Sequence, residues 1–134
     1  MAIRVRACPP APGRLSEGPR WHDERGELLW VDILGSSVHR GRWSAQDDLE
    51  LLETIALDRH VGAVAPCADG GYVVAAGGGF VFVGADRRRT DLAQPAADDP
   101  GVRMNDGACD PQGRFWAGDD GLRRVAGRRD PVPP

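Results

Sequence analysis

Short runs of β-prone apolar residues recur along the chain, and three of them share one opening. An aspartate is followed by one or two residues, then a glycine, then the run: Asp23-Glu-Arg-Gly26-Glu-Leu-Leu-Trp-Val, Asp69-Gly70-Gly71-Tyr-Val-Val-Ala and Asp110-Pro-Gln-Gly113-Arg-Phe-Trp-Ala-Gly. Each segment predicts a hairpin in which the aspartate carboxylate caps a tight turn and the glycine, Gly26, Gly71 or Gly113, takes the positive φ. A period of about 43 residues built from short strands predicts the blades of a β-propeller. Further strands fall between the hairpins, at Val38–Trp43, Val61–Ala65 and Phe80–Val83. The stretch Leu49–Leu57 fits a helix face through Leu49, Leu52, Ile55 and Ala56. It also fits a strand through Leu49, Leu51, Ile55 and Leu57, with Glu53 as the misfit, and the repeat context favours the strand. Residues 87–100 are polar and hold two prolines, which predicts loop with a short strand near Thr90–Ala93.

At that period, 134 residues make about three four-stranded blades, whereas closed propellers have about 4–8. The fold class expected is therefore all-β and propeller-type, divided as an N-terminal extension (1–13), a partial propeller (14–118) and a divergent Arg/Pro-rich tail (119–134). An open arc leaves strand edges unpaired, so self-association through them is expected.

Composition narrows the function classes. Hydrophobic residues make up 41% of the chain, enough for a core, and the 18 glycines and 11 prolines supply turns without reaching low-complexity levels. The net charge of -3 gives no pull toward nucleic acid or an anionic membrane surface, and all 17 cationic residues are arginine. Cys8, Cys67 and Cys109 form no CxxC pair, which argues against a disulfide scaffold or a cysteine zinc site and fits a reducing compartment. The N-terminus lacks the apolar run of a secretory signal. The longest apolar stretch, Tyr72–Ala85, is broken by Gly77, Gly78 and Gly79 and falls short of the roughly 20 residues of a spanning helix. A cytoplasmic protein is expected.

Four motifs carry a resemblance: Leu15-Ser-Glu17-Gly-Pro19-Arg-Trp21, Leu29-Trp-Val-Asp32-Ile, Arg103-Met-Asn105-Asp106-Gly107 and Asp110-Pro-Gln-Gly113-Arg-Phe-Trp116-Ala-Gly118. Together they resemble the gluconolactonase / senescence-marker-protein / luciferin-regenerating-enzyme family, the regucalcin-like proteins, over roughly residues 14–118. The resemblance implies a six-bladed propeller with one divalent cation, Ca2+ or Zn2+, in its central channel and hydrolysis of sugar lactones by metal-activated water. It implies that Glu17 is the metal-binding glutamate, a hard oxygen ligand suited to either ion. It also implies that Arg103 and Asn105 contact the sugar lactone. At spacing i, i+2 on a strand these two would face one side, where a guanidinium fork and an amide can hold hydroxyl and ring oxygens. Asn105-Asp106-Gly107 is equally an ordinary turn former, with Asp106 bracing the loop.

Other residues read as structural. Asp32 suits a strand-end turn. His22, His39 and His60 form no paired metal motif. No serine sits in a GxSxG elbow, the triple glycine has no GK[ST] after it, and Arg87-Arg88-Arg89 reads as a solvated hairpin tip.

Two departures from the family stand out. The expected asparagine and aspartate ligands from later blades, the aspartate also being the expected base, have no counterpart here. After Gly118 the usual threonine-methionine is replaced by Asp119-Asp120-Gly121, and an acidic pocket residue that some members supply from this loop has no secure match. Truncation or a frameshift near residue 119 is the expected cause. Three functions follow: a lactone hydrolase or part of one, a non-catalytic propeller-type binding module, and an inactive truncated product.

Overall fold

The computed structural model describes residues 1–8 and 13–121. Residues 122–134, most of the tail set apart above, lie outside the described residues, as do 9–12. Among the described residues ten strands follow one another in sequence. The first sheet holds β1 (Ser16–His22), β2 (Glu27–Asp32), β3 (Ser37–Trp43) and β4 (Leu49–Ala56). The second holds β5 (Val61–Pro66), β6 (Tyr72–Ala76), β7 (Gly79–Val83) and β8 (Arg89–Asp91). The third holds β9 (Met104–Cys109) and β10 (Phe115–Asp119). Pairing within each sheet is antiparallel between sequence neighbours, so two sheets are complete four-stranded blades and the third, among the described residues, is a hairpin. This is the all-β, propeller-type architecture that the repeat predicts.

The repeated Asp…Gly turn joins the first strand of each sheet to its second. Its chemistry varies more than the motif suggests. Before β2 the chain makes a 3-10 turn over Asp23–Arg25, closed by the Gly26 N–H on the Asp23 carbonyl, while the Asp23 carboxylate instead accepts from the Trp21 indole. In the second turn the left-handed residue is Gly70, at φ +88°, and not Gly71. Gly71 is fixed by space: a Cβ there would stand 2.6 Å from the Val83 carbonyl oxygen. The expected carboxylate cap forms in the second and third turns: Asp69 accepts the Gly71 N–H at 3.0 Å, and Asp110 accepts from the N–H groups of Gln112 and Arg114 and from the Trp116 indole.

The main core lies between the first two sheets. Leu29, Val31, Ile33, Val38 and Ile55 meet Val61, Val64, Tyr72, Val74, Val81 and Val83, nearly all fully buried. Each such side chain contributes about 1.5–3 kcal/mol when taken out of water. A smaller cluster joins the second sheet to the third, where Ala63, Ala75 and Met104 pack with Phe80, Phe115 and Ala117.

Glu53, the residue that breaks the apolar alternation of β4, has its own reason. A register shift opposite Arg40 and Gly41 lets the strand present Glu53 beside Arg40. Its carboxylate binds Arg40 and also Arg87, at 2.7 and 2.8 Å, from the turn between β7 and β8. Arg40 in turn holds Glu27, which is 2% exposed, through two bonds of 3.0 Å. Arg87 is therefore a bridge between sheets, whereas Arg88 and Arg89 are exposed as the solvated-tip reading expects, Arg89 also donating to the Ala56 carbonyl.

Candidate functional site

The first strands of the three sheets, β1, β5 and β9, lie side by side. A Cβ placed on Gly62 would stand 2.3 Å from the carbonyl oxygen of Asn105 and 2.4 Å from that of Met104, so no side chain fits between β5 and β9. Facing β5 from β1, a Cβ placed on Gly18 would stand 3.9 Å from the Gly62 carbonyl oxygen. Gly18, Gly62 and Asn105 hold the same place relative to the turn glycines Gly26, Gly70 and Gly113. The pairing of each strand is irregular at this level: between Glu17 and Arg20, between Val61 and Ala63, and opposite Met104 to Gly107. Bulges of this kind re-aim side chains and cluster beside active sites.

Glu17, directly before Gly18, is exposed and pairs across to Val31. Asn105 is exposed at the matching level of β9. Through Gly18 and Gly62 the structure brings the Glu17 and Asn105 strands to one wall.

Arg103, one residue before β9, opens instead onto a cavity of about 660 Å³ at the end of these strands. Its walls include Ser36, Asp58, Arg59, His60, Arg103 and Asp120. The expectation that the Arg103 and Asn105 side chains share one face meets this geometry: Met104 between them is buried toward the second sheet, while Arg103, and not Asn105, lines the cavity. The charges in the cavity are largely matched. Arg59 binds Asp58 at 2.8 and 3.1 Å and Asp91 at 3.1 Å, and its guanidinium holds the Asp58 carboxyl below the usual carboxylate range. Arg103 binds Asp120 at 2.6 Å.

Two residues to which the sequence motifs give no role brace this region. Arg20 on β1 reaches across to the Gly107 carbonyl and lies 4.0 Å from Asp106. The Asp106 carboxylate accepts the Gly107 N–H at 2.8 Å, the loop-bracing role read from the sequence. Asp120 donates its N–H to the Arg103 carbonyl at 3.0 Å. Neither Arg20 nor Asp120 carries a sequence signal of its own. Arg20 is one residue inside a motif with no role of its own there, and Asp120 falls where the family pattern lapses.

Asp32 takes the turn role expected of it. Its carboxylate accepts the N–H groups of Arg14, Leu15 and Gly35 at 2.8–3.0 Å. Burial opposes its ionisation, and these three bonds outweigh burial, leaving its pKa lowered. His39 stacks on Trp30 and bonds Thr54, and burial pushes its pKa down.

A metal centre needs several donors converging on one point. Glu17 has the right chemistry, but among the described residues no three His, Cys, Asp or Glu side chains stand close enough to share an ion. These residues therefore do not fit a complete cation site; Glu17 is the single donor that the β1 wall offers. Among the described residues no helix is long and apolar enough to cross a membrane.

Known proteins share this architecture. The chain is 36% identical to regucalcin of Danio rerio over 87% of its own length and 38% of that protein. It is 33% identical to a putative sugar lactone lactonase, YvrE, of Bacillus subtilis over 78% of its length and 35% of that protein. It is also 33% identical to 6-deoxy-6-sulfogluconolactonase of Pseudomonas putida, over 80% and 36% respectively. Among solved structures, a calcium-binding regucalcin from Agrobacterium tumefaciens superposes with a TM-score of 0.72 at 29% identity, covering 84% of this chain and 37% of that one. A luciferin-regenerating enzyme, at 23% identity and a TM-score of 0.71, shares the fold. The chain thus spans well under half the length of the relatives it matches. The model of the SMP-30/Gluconolactonase/LRE-like region matches residues 15–131, and the chain belongs to that family.

Proposed function

We propose that this chain carries the lactone-binding part of a sugar-lactone hydrolase site, with Arg103 and Asn105 as substrate contacts and Glu17 as its one donor toward a divalent cation. The observation that supports this most is the close run of β1, β5 and β9, in which side-chain-free Gly62 lets the Glu17 strand and the Asn105 strand share a wall. The relatives named for lactone chemistry give the substrate class. Arg103 offers guanidinium N–H donors to ring or hydroxyl oxygens, and the Asn105 amide can both donate and accept. Hydrolysis also requires a base and further cation ligands, which the described residues do not group together, so no bond-breaking step is assigned to them.

The test is equilibrium binding of 1,5-anhydro-D-glucitol, a lactone-ring mimic without the reactive carbonyl, to the wild type, Arg103→Leu and Asn105→Ala. Each substitution is expected to weaken binding about tenfold, the loss of one or two good hydrogen bonds. Affinity unchanged in both variants would overturn the assignment.

Self-association through the open third sheet is a second reading. The 61% exposure of Trp116 on that sheet favours it. Sedimentation that stays monomeric across the accessible concentration range would remove it.

A further inference from the structure

We infer that Asp120 is the positioning residue for Arg103: it fixes the guanidinium in the cavity wall and thereby sets which N–H the site presents to a ligand. The inference rests on the lactone-site reading for what Arg103 touches, but not for how Arg103 is held.

Three observations carry it. First, the two residues are joined twice, by the Asp120 N–H on the Arg103 carbonyl at 3.0 Å and by Arg103 Nη2 on Asp120 Oδ2 at 2.6 Å. The backbone bond anchors the end of β10 to the start of β9, and the side-chain bond is made from that fixed point, so the carboxylate has only its own short side chain to move on. Second, the pair is only partly open to water, with side chains 29% and 35% exposed, and both residues line the same 660 Å³ cavity. Third, Arg103 Nη1 is buried and has no hydrogen-bond partner among the described residues. A guanidinium carries five donors in a rigid fork, so an acid clamped on Nη2 dictates where Nη1 points. A buried N–H left without a partner is the donor that an incoming oxygen would satisfy.

The charge balance says what kind of ligand suits the fork. Asp120 neutralises Arg103 just as Asp58 and Asp91 neutralise Arg59 across the cavity. A neutralised arginine still donates hydrogen bonds but no longer draws anions, so this geometry selects an uncharged, oxygen-rich ligand by bond direction.

The experiment observes the Arg103 guanidinium by 15N NMR in the full chain, as wild type, Asp120→Asn and Asp120→Glu, with 1,5-anhydro-D-glucitol titrated into each. Rotation of the Arg103 guanidinium is expected to be slow in the wild type and fast in Asp120→Asn. Asp120→Asn should also bind the sugar mimic about tenfold more weakly, and Asp120→Glu should restore both readouts at least in part. Asp120→Asn should in addition bind gluconate relatively better than the wild type, because the arginine charge is released. Fast rotation in the wild type, or slow rotation retained in Asp120→Asn, would overturn the inference. If rotation responds as expected but no protein binds the sugar mimic, the positioning role stands and the lactone reading falls. If the sugar binds equally well to all three, the fork does not depend on Asp120 and the inference falls while the lactone reading survives.

Discussion

In the second sheet both faces are covered. Tyr72, Val74 and Ala76 of β6 pack toward the first sheet, and Ala75 between them packs toward the third. The hairpin of β9 and β10 covers one face only: Met104, Phe115 and Ala117 turn inward, while Trp116 on the other side is 61% exposed. The same Asp…Gly turn thus begins a sheet that is held by its core and a sheet that is held by local braces. Those braces are Arg20 on Gly107, Asp106 on Gly107 and Asp120 on Arg103. The candidate substrate residues sit on the braced sheet, and Glu17 sits on a cored one. Stability and site formation are therefore separable in this chain, and substitutions in the two regions should behave differently.

The largest effect is expected from Leu29→Ala in the first sheet. Leu29 is fully buried, and removing its side chain should cost about 3 kcal/mol, read as a lower midpoint of global denaturation. Gly62→Ala comes next, at about 2 kcal/mol, because its Cβ would collide with backbone oxygens that cannot turn aside. Hydrogen exchange should show that this loss opens β9 and β10 first; a uniform loss across all sheets would break the distinction. Phe115→Ala, in the smaller cluster, should cost about 1 kcal/mol of global stability while freeing the third sheet.

Acid tests the bridge between the two cored sheets. The bonds from Arg87, aided by Arg40, hold the Glu53 carboxyl near a pKa of about 2, below its usual 4.5. A depressed carboxylate pKa contributes stability that is complete above about pH 4.5 and is lost as pH falls toward 2. Solvent screening limits the contribution to about 1 kcal/mol. Glu53→Gln should remove that share of the acid sensitivity; identical acid transitions would show the bridge to be inert. The smallest effect is expected from calcium. A single carboxylate donor is expected to bind calcium no more tightly than about 1 mM, so 1 mM Ca2+ should stabilise the chain by less than about 0.5 kcal/mol in thermal melts. A larger shift would reveal ligands beyond Glu17.

The sequence motifs reach far into this structure, and their limits are physical. The hairpin repeat marks the start of every sheet because a tight turn leaves an obligatory trace in Asp and Gly. It does not distinguish Gly70 from Gly71, since both positions reject a side chain, one for its φ and the other for lack of space. The family motifs mark Glu17, Arg103 and Asn105 but not their relative placement, which depends on the contact between β5 and β9 at Gly62. A glycine that is needed because a carbonyl lies 2.3 Å from its Cβ position looks, in one sequence, like any other glycine. Long-range ion pairs leave less still. Arg87 reads as one of three adjacent arginines, and its bond to Glu53 appears only when the two sheets meet. Arg20 and Asp120 are equally silent until β1, β9 and β10 are placed together.

We propose that a sugar lactone is received on the wall formed by β1, β5 and β9. Backbone amide shifts followed during a titration with 1,5-anhydro-D-glucitol test it most directly. The shifts should gather on Arg103–Gly107, Asp120 and the Glu17–Gly18 end of β1, and Asn105→Ala should move their midpoint to about tenfold higher ligand concentration. Shifts gathered instead on the separate cavity lined by Trp21, His22 and Cys67, or no shifts on β9 at all, would contradict it.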